Sequence, residues 1–280
     1  MISDFLAAYL ERIALPLPKA VTLEVLEQIQ LAHRMAIGFE NMDVMLGRGI
    51  SVELPAIHAK LVERMRGGYC FEHNALFGAA LEELGFPNRP LLGRVWLNVP
   101  EGVVPPRTHT LRLVELDGAV WIADAGFGGS YVPVMRLADG AIAQTADGAQ
   151  HRLSRVMEST GEWVLERAGP VGATDGRAQP HTNWQRQYSF DLAPVMPVDL
   201  EMSNHWTSAK PNTRFTSAHI ASIVLPNGGF AALNGRRLSM YSGGRADVME
   251  LPSAADWRRV LGDLFNIELS VEEIDALYLF

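Results

Sequence analysis

The chain has 280 residues, 48% hydrophobic and 20% charged, enough to bury a substantial core in two or three folding units. Its formal net charge of −8, with no Lys/Arg run, argues against nucleic acid or an anionic membrane as the main partner, though one phosphorylated ligand needs only a local basic spot. A single cysteine excludes an intrachain disulfide framework and a Cys-rich zinc site.

Residues 1–10 carry one acidic side chain, Asp4, and lack the basic start of a signal peptide. The first third then reads as helical. Leu23, Leu26, Glu27, Gln30 and Leu31 follow the 3.6-residue period, and Ile57, Leu61 and Met65 repeat it. The strongest predicted helix begins near Cys70. Phe77, Leu81 and Leu84 make its apolar stripe, Gly85 suits a left-handed C-cap, and Pro87 blocks continuation.

Short alternating runs follow. Residues 91–97, 109–116 and 119–123 are predicted strands, the last two joined by the hairpin dipeptide Asp117-Gly118. Asp139-Gly140, Asp147-Gly148 and Thr160-Gly161 punctuate further strands to about Arg167, which predicts an antiparallel barrel or sandwich. Residues 168–187 are polar and turn-rich and read as a linker. In the last third, strands are predicted at 220–225, 230–233 and 237–241, around Asn227-Gly228-Gly229 and Asn234-Gly235. Helices start at Ser253 and Ser270, each with an acidic residue three positions on, Asp256 and Glu273. No run approaches the ~20 apolar residues of a membrane span. With one free thiol, a reducing, cytoplasmic location is expected.

Chemistry begins at Arg66-Gly67-Gly68-Tyr69-Cys70-Phe71-Glu72. Two glycines permit a tight turn, and the helix start places Cys70 near unpaired N–H groups and a dipole that favour a thiolate. An inert buried thiol is the bland alternative, and local features leave both open. A nucleophilic cysteine needs a base. His73 shares its helix face, yet sits at the positive helix end, which disfavours an imidazolium. His109 has the stronger case. If Asp117-Gly118 closes a two-residue hairpin, Asp124 falls opposite Leu111 and His109 opposite Gly126, so His109 and Asp124 share a face as diagonal neighbours roughly 7–8 Å apart at Cα. A structural His–Asp pair would look the same; an activated Cys70 makes a Cys-His-Asp triad of it. After Asp124, the small residues of Ala125-Gly126-Phe127-Gly128-Gly129-Ser130 suit either a phosphate-binding nest or a glycine-rich hairpin end.

These segments, with Phe39-Glu40-Asn41, Cys70-Phe71-Glu72-His73-Asn74 and Arg107-Thr108-His109, resemble the arylamine N-acetyltransferase family, and its bacterial members closely. The resemblance implies Cys70 as acyl-accepting nucleophile, His109 as base and Asp124 as its orienter. It implies an α+β fold with a papain-like or transglutaminase-like Cys-His-Asp core: a helical bundle over 1–85, an antiparallel β-barrel over 86–185 and an α/β lid over 186–280. Thr108, Gly126, Phe127 and Gly128 are implied at the CoA site, and Phe39, Tyr69, Phe71 and Phe127 at the wall of an aromatic acceptor pocket. The implied reaction is two-step acetyl transfer from acetyl-CoA, without a metal, to arylamines, arylhydrazines or hydrazides, as in xenobiotic metabolism. A cysteine hydrolase or amide-forming enzyme with the same triad is the alternative. Family members usually read Ile-Pro-Phe-Glu-Asn where this chain has Ile37-Gly38-Phe39-Glu40-Asn41, and Ala125 replaces a common Val. Gly38 is therefore expected to loosen the loop at Phe39.

Overall fold

The computed structural model describes residues 2–156, 161–178 and 183–280, so Thr160 of the expected Thr160-Gly161 turn and His181 lie outside the described residues. Side-chain caps set the first helices. Ser3 starts α1 (Asp4–Arg12) by accepting the Leu6 amide, and Thr22 starts α2 (Leu23–Ala36) through Val25. After the short strand β1 (Phe39–Glu40) come α3 (Met42–Met45) and α4 (Leu54–His58). The period expected through Met65 breaks: α4 passes into a π-helical turn over Ala59–Glu63, and Met65 lies beyond it with φ +50°. α5 (Cys70–Glu83) ends before Gly85, at φ +88°, as the C-cap pattern requires. Its Leu76, Phe77, Ala80 and Leu81 share one core with Tyr9 of α1 and with Leu26 and Ile29 of α2.

The larger sheet contains β2 (Asn88–Val95), β3 (Arg107–Leu116), β4 (Ala119–Ala123), β5 (Met135–Arg136), β6 (Ala141–Gln144), β7 (Gln150–Arg155), β8 (Trp163–Ala168) and β9 (Gln185–Phe190). They are antiparallel in the order β5-β4-β3-β2-β9-β8-β7-β6, and the contact of edge strands β5 and β6 nearly closes a barrel. Leu91, Leu111, Ile122, Leu153, Leu165 and Tyr188 fill it. Asp117 (φ +51°) and Gly118 (φ +70°) both take the left-handed conformation that a two-residue hairpin demands, and Leu116 faces Ala119 as expected.

The linker expected over 168–187 is only partly present. Gln185–Phe190 is an interior strand hydrogen-bonded to β2 and β8, with residues 187–190 buried. Its polar start hid it, because Gln187 and Ser189 sit in buried positions that composition alone marks as loop. β9 thus crosses the expected 185/186 boundary.

The last third adds α6 (Pro197–Ala209) and α7 (Arg214–Ser217), neither assigned from the sequence. A signal for α6 existed: Pro197 at the first helical position, and Asp199 accepting the Met196 amide at 2.8 Å. The smaller sheet runs β1, β10 (Ile220–Leu225), β11 (Gly229–Asn234), β12 (Arg237–Ser242), β13 (Arg245–Glu250), so the helical third supplies its edge through Phe39 opposite Ser222. Ser253 and Ser270 cap α8 (Ala254–Phe265) and α9 (Val271–Ala276) as expected. Trp257, Leu261 and Phe265 of α8 pack on Ala221, Ala231 and Leu233 of this sheet. The fold is α+β: a helical bundle, a nearly closed antiparallel barrel and a sheet-and-helix unit. Among the described residues no helix is long and apolar enough to cross a membrane.

Candidate active site

The loop before Cys70 is held by backbone proximity and buried charge. A Cβ on Gly67 would stand 2.2 Å from the Gly38 carbonyl oxygen, so only glycine fits there. Glu72 accepts the Tyr69 amide at 3.0 Å and Lys60 Nζ at 2.8 Å. Lys60 also pairs with Asp43 at 2.9 Å, and Arg66 joins Asp43 at 2.9 Å to Glu273 at 3.3 Å. Burial opposes the Lys60 charge, but Glu72, Glu40 and Asp43 outweigh it and raise its pKa. Removing one member would leave uncompensated charge under the loop. This network delivers Cys70 to the first position of α5, where the Glu72 and His73 amides turn back to the Tyr69 carbonyl and those of Cys70 and Phe71 precede the intrahelical ladder. Its thiol is buried and donates to the Thr108 carbonyl oxygen at 3.5 Å.

His109 and Asp124 meet as the hairpin argument anticipates, by a slightly different route. The β3–β4 ladder keeps its register to Arg112 opposite Ala123 and ends there, while His109 pairs with Gly93 of β2. Asp124 turns out of the sheet with its amide donated to Gln30 Oε1 at 2.6 Å. Its Oδ2 still lies 2.7 Å from His109 Nε2. The other oxygen accepts Asn74 Nδ2 at 3.1 Å and the Gly126 amide at 2.9 Å. Burial works against both charges. For Asp124, the facing imidazole and these donors prevail and lower its pKa. For His109, Asp124 and the hydrogen-bonded Cys70 side chain prevail and raise it to about 10. With Nε2 committed to Asp124, Nδ1 is the nitrogen left for Cys70.

His73 has a different environment. Its Nε2 faces the carbonyls of Gly38 (3.2 Å) and Gly68 (3.0 Å), so that nitrogen carries the proton. Its Nδ1 must then accept from His33 Nε2 at 2.8 Å, and His33 Nδ1 accepts the Tyr9 hydroxyl at 3.0 Å. Burial first, then the Arg34 charge, lowers His73 to about 3. A neutral imidazole whose donor and acceptor are both occupied has no proton to exchange with Cys70.

Cys70 and His109 open into a cleft of about 200 Å³, also lined by Phe39, Thr108, Gly126, Phe127 and Gly128. Phe127 packs its ring edge on His109 at 5.4 Å. Tyr69 and Phe71 stand behind this surface: Tyr69 is fully buried, 5.5 Å from Phe71 and 5.4 Å from Phe215 by ring centroids. The facing wall comes from α6, α7 and the loop before β9, through Trp206, Phe215, Arg214 and Arg177. These residues went unread because nothing in their local pattern ties them to Cys70. Asn74 and Gln30, which hold Asp124, were also missed, although Asn74 lies one turn after Cys70 on the same helix face. A larger cavity of about 420 Å³ between α2 and the β10–β11 turn contains neither Cys70 nor His109.

The glycine positions have steric reasons. A Cβ at Gly126 would lie 2.5 Å from Asn74 Nδ2 and 2.8 Å from Cys70 Cα, and one at Gly128 would lie 2.5 Å from the Phe39 ring. Gly38 does not loosen its loop. A Cβ there would meet the Phe265 carbonyl oxygen at 2.5 Å, so the glycine lets the end of α8 seat closely against the strand bearing Phe39.

A family model described as N-acetyltransferase matches residues 22–274. The chain is 37% identical over 266 residues to the arylamine N-acetyltransferase / N-hydroxyarylamine O-acetyltransferase of Salmonella typhimurium, covering 95% of this chain and 89% of that one. It is 33% identical over 269 residues to the arylamine N-acetyltransferase of Mycolicibacterium smegmatis, with 94% and 92% covered. Among solved structures, the Salmonella typhimurium arylamine N-acetyltransferase matches at TM-score 0.90 and 33% identity over all of both chains. The Mycobacterium marinum arylamine N-acetyltransferase in complex with CoA matches at TM-score 0.86 and 33% identity over 97% of each.

Proposed function

The chain belongs to the arylamine N-acetyltransferase family, and from that membership we propose that it carries an acetyl group from acetyl-CoA to an aromatic amine, hydrazine or hydrazide through a thioester on Cys70. The observation that carries the assignment of roles is the His109–Asp124 hydrogen bond of 2.7 Å behind a cysteine at a helix start.

Cys70 attacks the thioester carbonyl as the partner of a cationic His109. The collapsing intermediate expels CoA as its thiol, with His109 supplying the proton. Amides of the first turn of α5 are positioned to meet the developing oxyanion. Acetylation removes the Cys70 side chain as a hydrogen-bond partner, one of the influences that raise His109, and so favours the neutral imidazole that the second step needs as base. The amine then attacks the acetyl-enzyme, His109 takes its proton, and the Cys70 thiolate leaves. Thr108, Gly126, Phe127 and Gly128 are our proposed CoA contacts. Phe39 and Phe127 wall the acceptor, with Tyr69 and Phe71 acting through the packing behind them. In this reading the helical bundle brings the nucleophile, the barrel, extended by β9 to Phe190, brings the base and its carboxylate, and α6 and α7 with Arg177 form the covering wall. A reducing cytoplasmic setting suits a reaction that needs a free thiol.

Intact mass after mixing with acetyl-CoA alone tests the reading. One acetyl group on Cys70, discharged by an arylamine as its N-acetyl product, is expected. An adduct that reacts only with water returns the site to a hydrolase, and no adduct on a folded, free thiol defeats the acetyltransferase assignment.

A further inference from the structure

We propose that Arg214, with Arg177 beside it, selects acceptors bearing a carboxylate or similar anion, so that the preferred substrates are anionic arylamines. The proposal rests on the acetyl-transfer reading above.

Arg214 begins α7 and lines the same cleft as Cys70 and His109. Its Nη2 donates to Asp175 Oδ2 at 3.2 Å and to Asn234 Oδ1 at 2.9 Å, which fixes the plane of the guanidinium. Its Nε is buried with no hydrogen-bond partner among the described residues. A buried N–H left unpaired carries a desolvation cost that an acceptor atom on a ligand would relieve. Arg177 donates to the same Asp175 oxygen at 2.7 Å. One carboxylate between two guanidiniums leaves a positive charge uncompensated on this wall. Among the described residues no Asp or Glu side chain lines the cleft, and its other titratable groups are His109 and Cys70. An anion in the cleft therefore meets a cationic wall with a preorganised planar donor set, while a neutral substituent gains little from it.

The cofactor's phosphates are the other source of an anion. In acetyl-CoA the pantetheine arm separates the thioester from the pyrophosphate. With the thioester at Cys70, the diphosphate lies the length of that arm away from the nucleophile, whereas an acceptor's ring substituent stays beside it. A ring against the proposed acceptor wall of Phe39 and Phe127 keeps its substituent in the cleft that Arg214 also lines.

The test is the ratio of kcat/KM for 4-aminobenzoate to that for neutral, similarly shaped 4-aminobenzamide. In the wild-type enzyme the anion should lead by roughly 10- to 100-fold, the range of a hydrogen bond to a charged group. Arg214→Met should bring the ratio close to one. A wild-type ratio at or below one overturns the proposal, and this holds even if the variant does not fold. An acetyl-enzyme that neither acceptor discharges also overturns it. So does an unchanged acceptor ratio in Arg214→Met combined with acetyl-enzyme formation slowed from acetyl-CoA but not from phosphate-free S-acetylcysteamine, which would assign the arginine to the cofactor. Failure of acetyl-CoA to acetylate Cys70 sinks the underlying acetyl-transfer reading and this proposal with it.

Discussion

Asn74 ties the helix that bears Cys70 to the carboxylate that faces His109. Its Nδ2 donates to Asp124 Oδ1 at 3.1 Å and to the Thr110 carbonyl at 2.6 Å, and its Oδ1 accepts the Ala125 amide at 3.1 Å. Because Asn74 is one turn beyond Cys70 on α5, the distance from thiol to carboxylate is set within a single rigid element and one side chain.

Asn74→Ala should lower kcat by about tenfold or more and destabilise the fold by ~1–3 kcal/mol, since it strands a buried amide and weakens the hold on Asp124. Steady-state kinetics with a denaturant melt read both. A loss of stability with kcat intact would reduce Asn74 to a structural residue.

Asp124→Asn should keep the fold and cut turnover by ~10⁴-fold, by analogy with serine triads, because the amide stabilises neither the required tautomer nor the imidazolium. His73→Gln should act differently. It breaks the chain to His33 and so lowers thermal stability, while the folded fraction still forms the acetyl-enzyme. Equal kinetic damage from His73→Gln and His109→Gln would mean that the base is misassigned.

The raised value of His109 has a definite sign in stability. Burial favours the neutral ring, yet Asp124 and Cys70 hold its pKa at about 10, above the unfolded value of about 6.5. The pair's contribution is therefore complete below the unfolded value and fades as pH rises through the folded one. The gap in denaturant midpoint between wild type and Asp124→Asn should narrow between about pH 6.5 and about pH 10. Imidazole NMR should show His109 charged at neutral pH in the wild type alone. A gap that is constant over that range contradicts the raised value.

Gly128→Ala tests the contact between the glycine-rich loop and the acceptor wall. The new methyl overlaps the Phe39 ring, 2.5 Å from its nearest atoms, so the ring must shift. Because Gly128 is also a proposed CoA contact, the KM for the amine and that for acetyl-CoA should both rise several-fold. A change confined to acetyl-CoA would place Gly128 against the cofactor alone.

What the sequence by itself determined follows from short-range rules. Asp117-Gly118 fixes a hairpin because few residue pairs tolerate two left-handed conformations, and its register carries β4 to Ala123; the expected pairings of Asp124 with Leu111 and of His109 with Gly126 do not form, and Asp124 reaches His109 after turning out of the sheet. Ser253, Ser270 and the start of α5 were legible because a cap and its helix are covalent neighbours. A preference for His109 over His73 was available in outline, but its fuller reason lies in partners that only the fold assembles: His33, Gly38 and Gly68 satisfy His73 completely. Only the tertiary structure decided that β9 enters the barrel between β2 and β8, that Gly38 is small because the Phe265 carbonyl sits against it, and that Trp206, Arg214 and Phe215 face Cys70. Those contacts join separate elements of the chain, and their geometry depends on how whole sheets and helices pack. No periodicity or turn dipeptide within a local stretch carries that information.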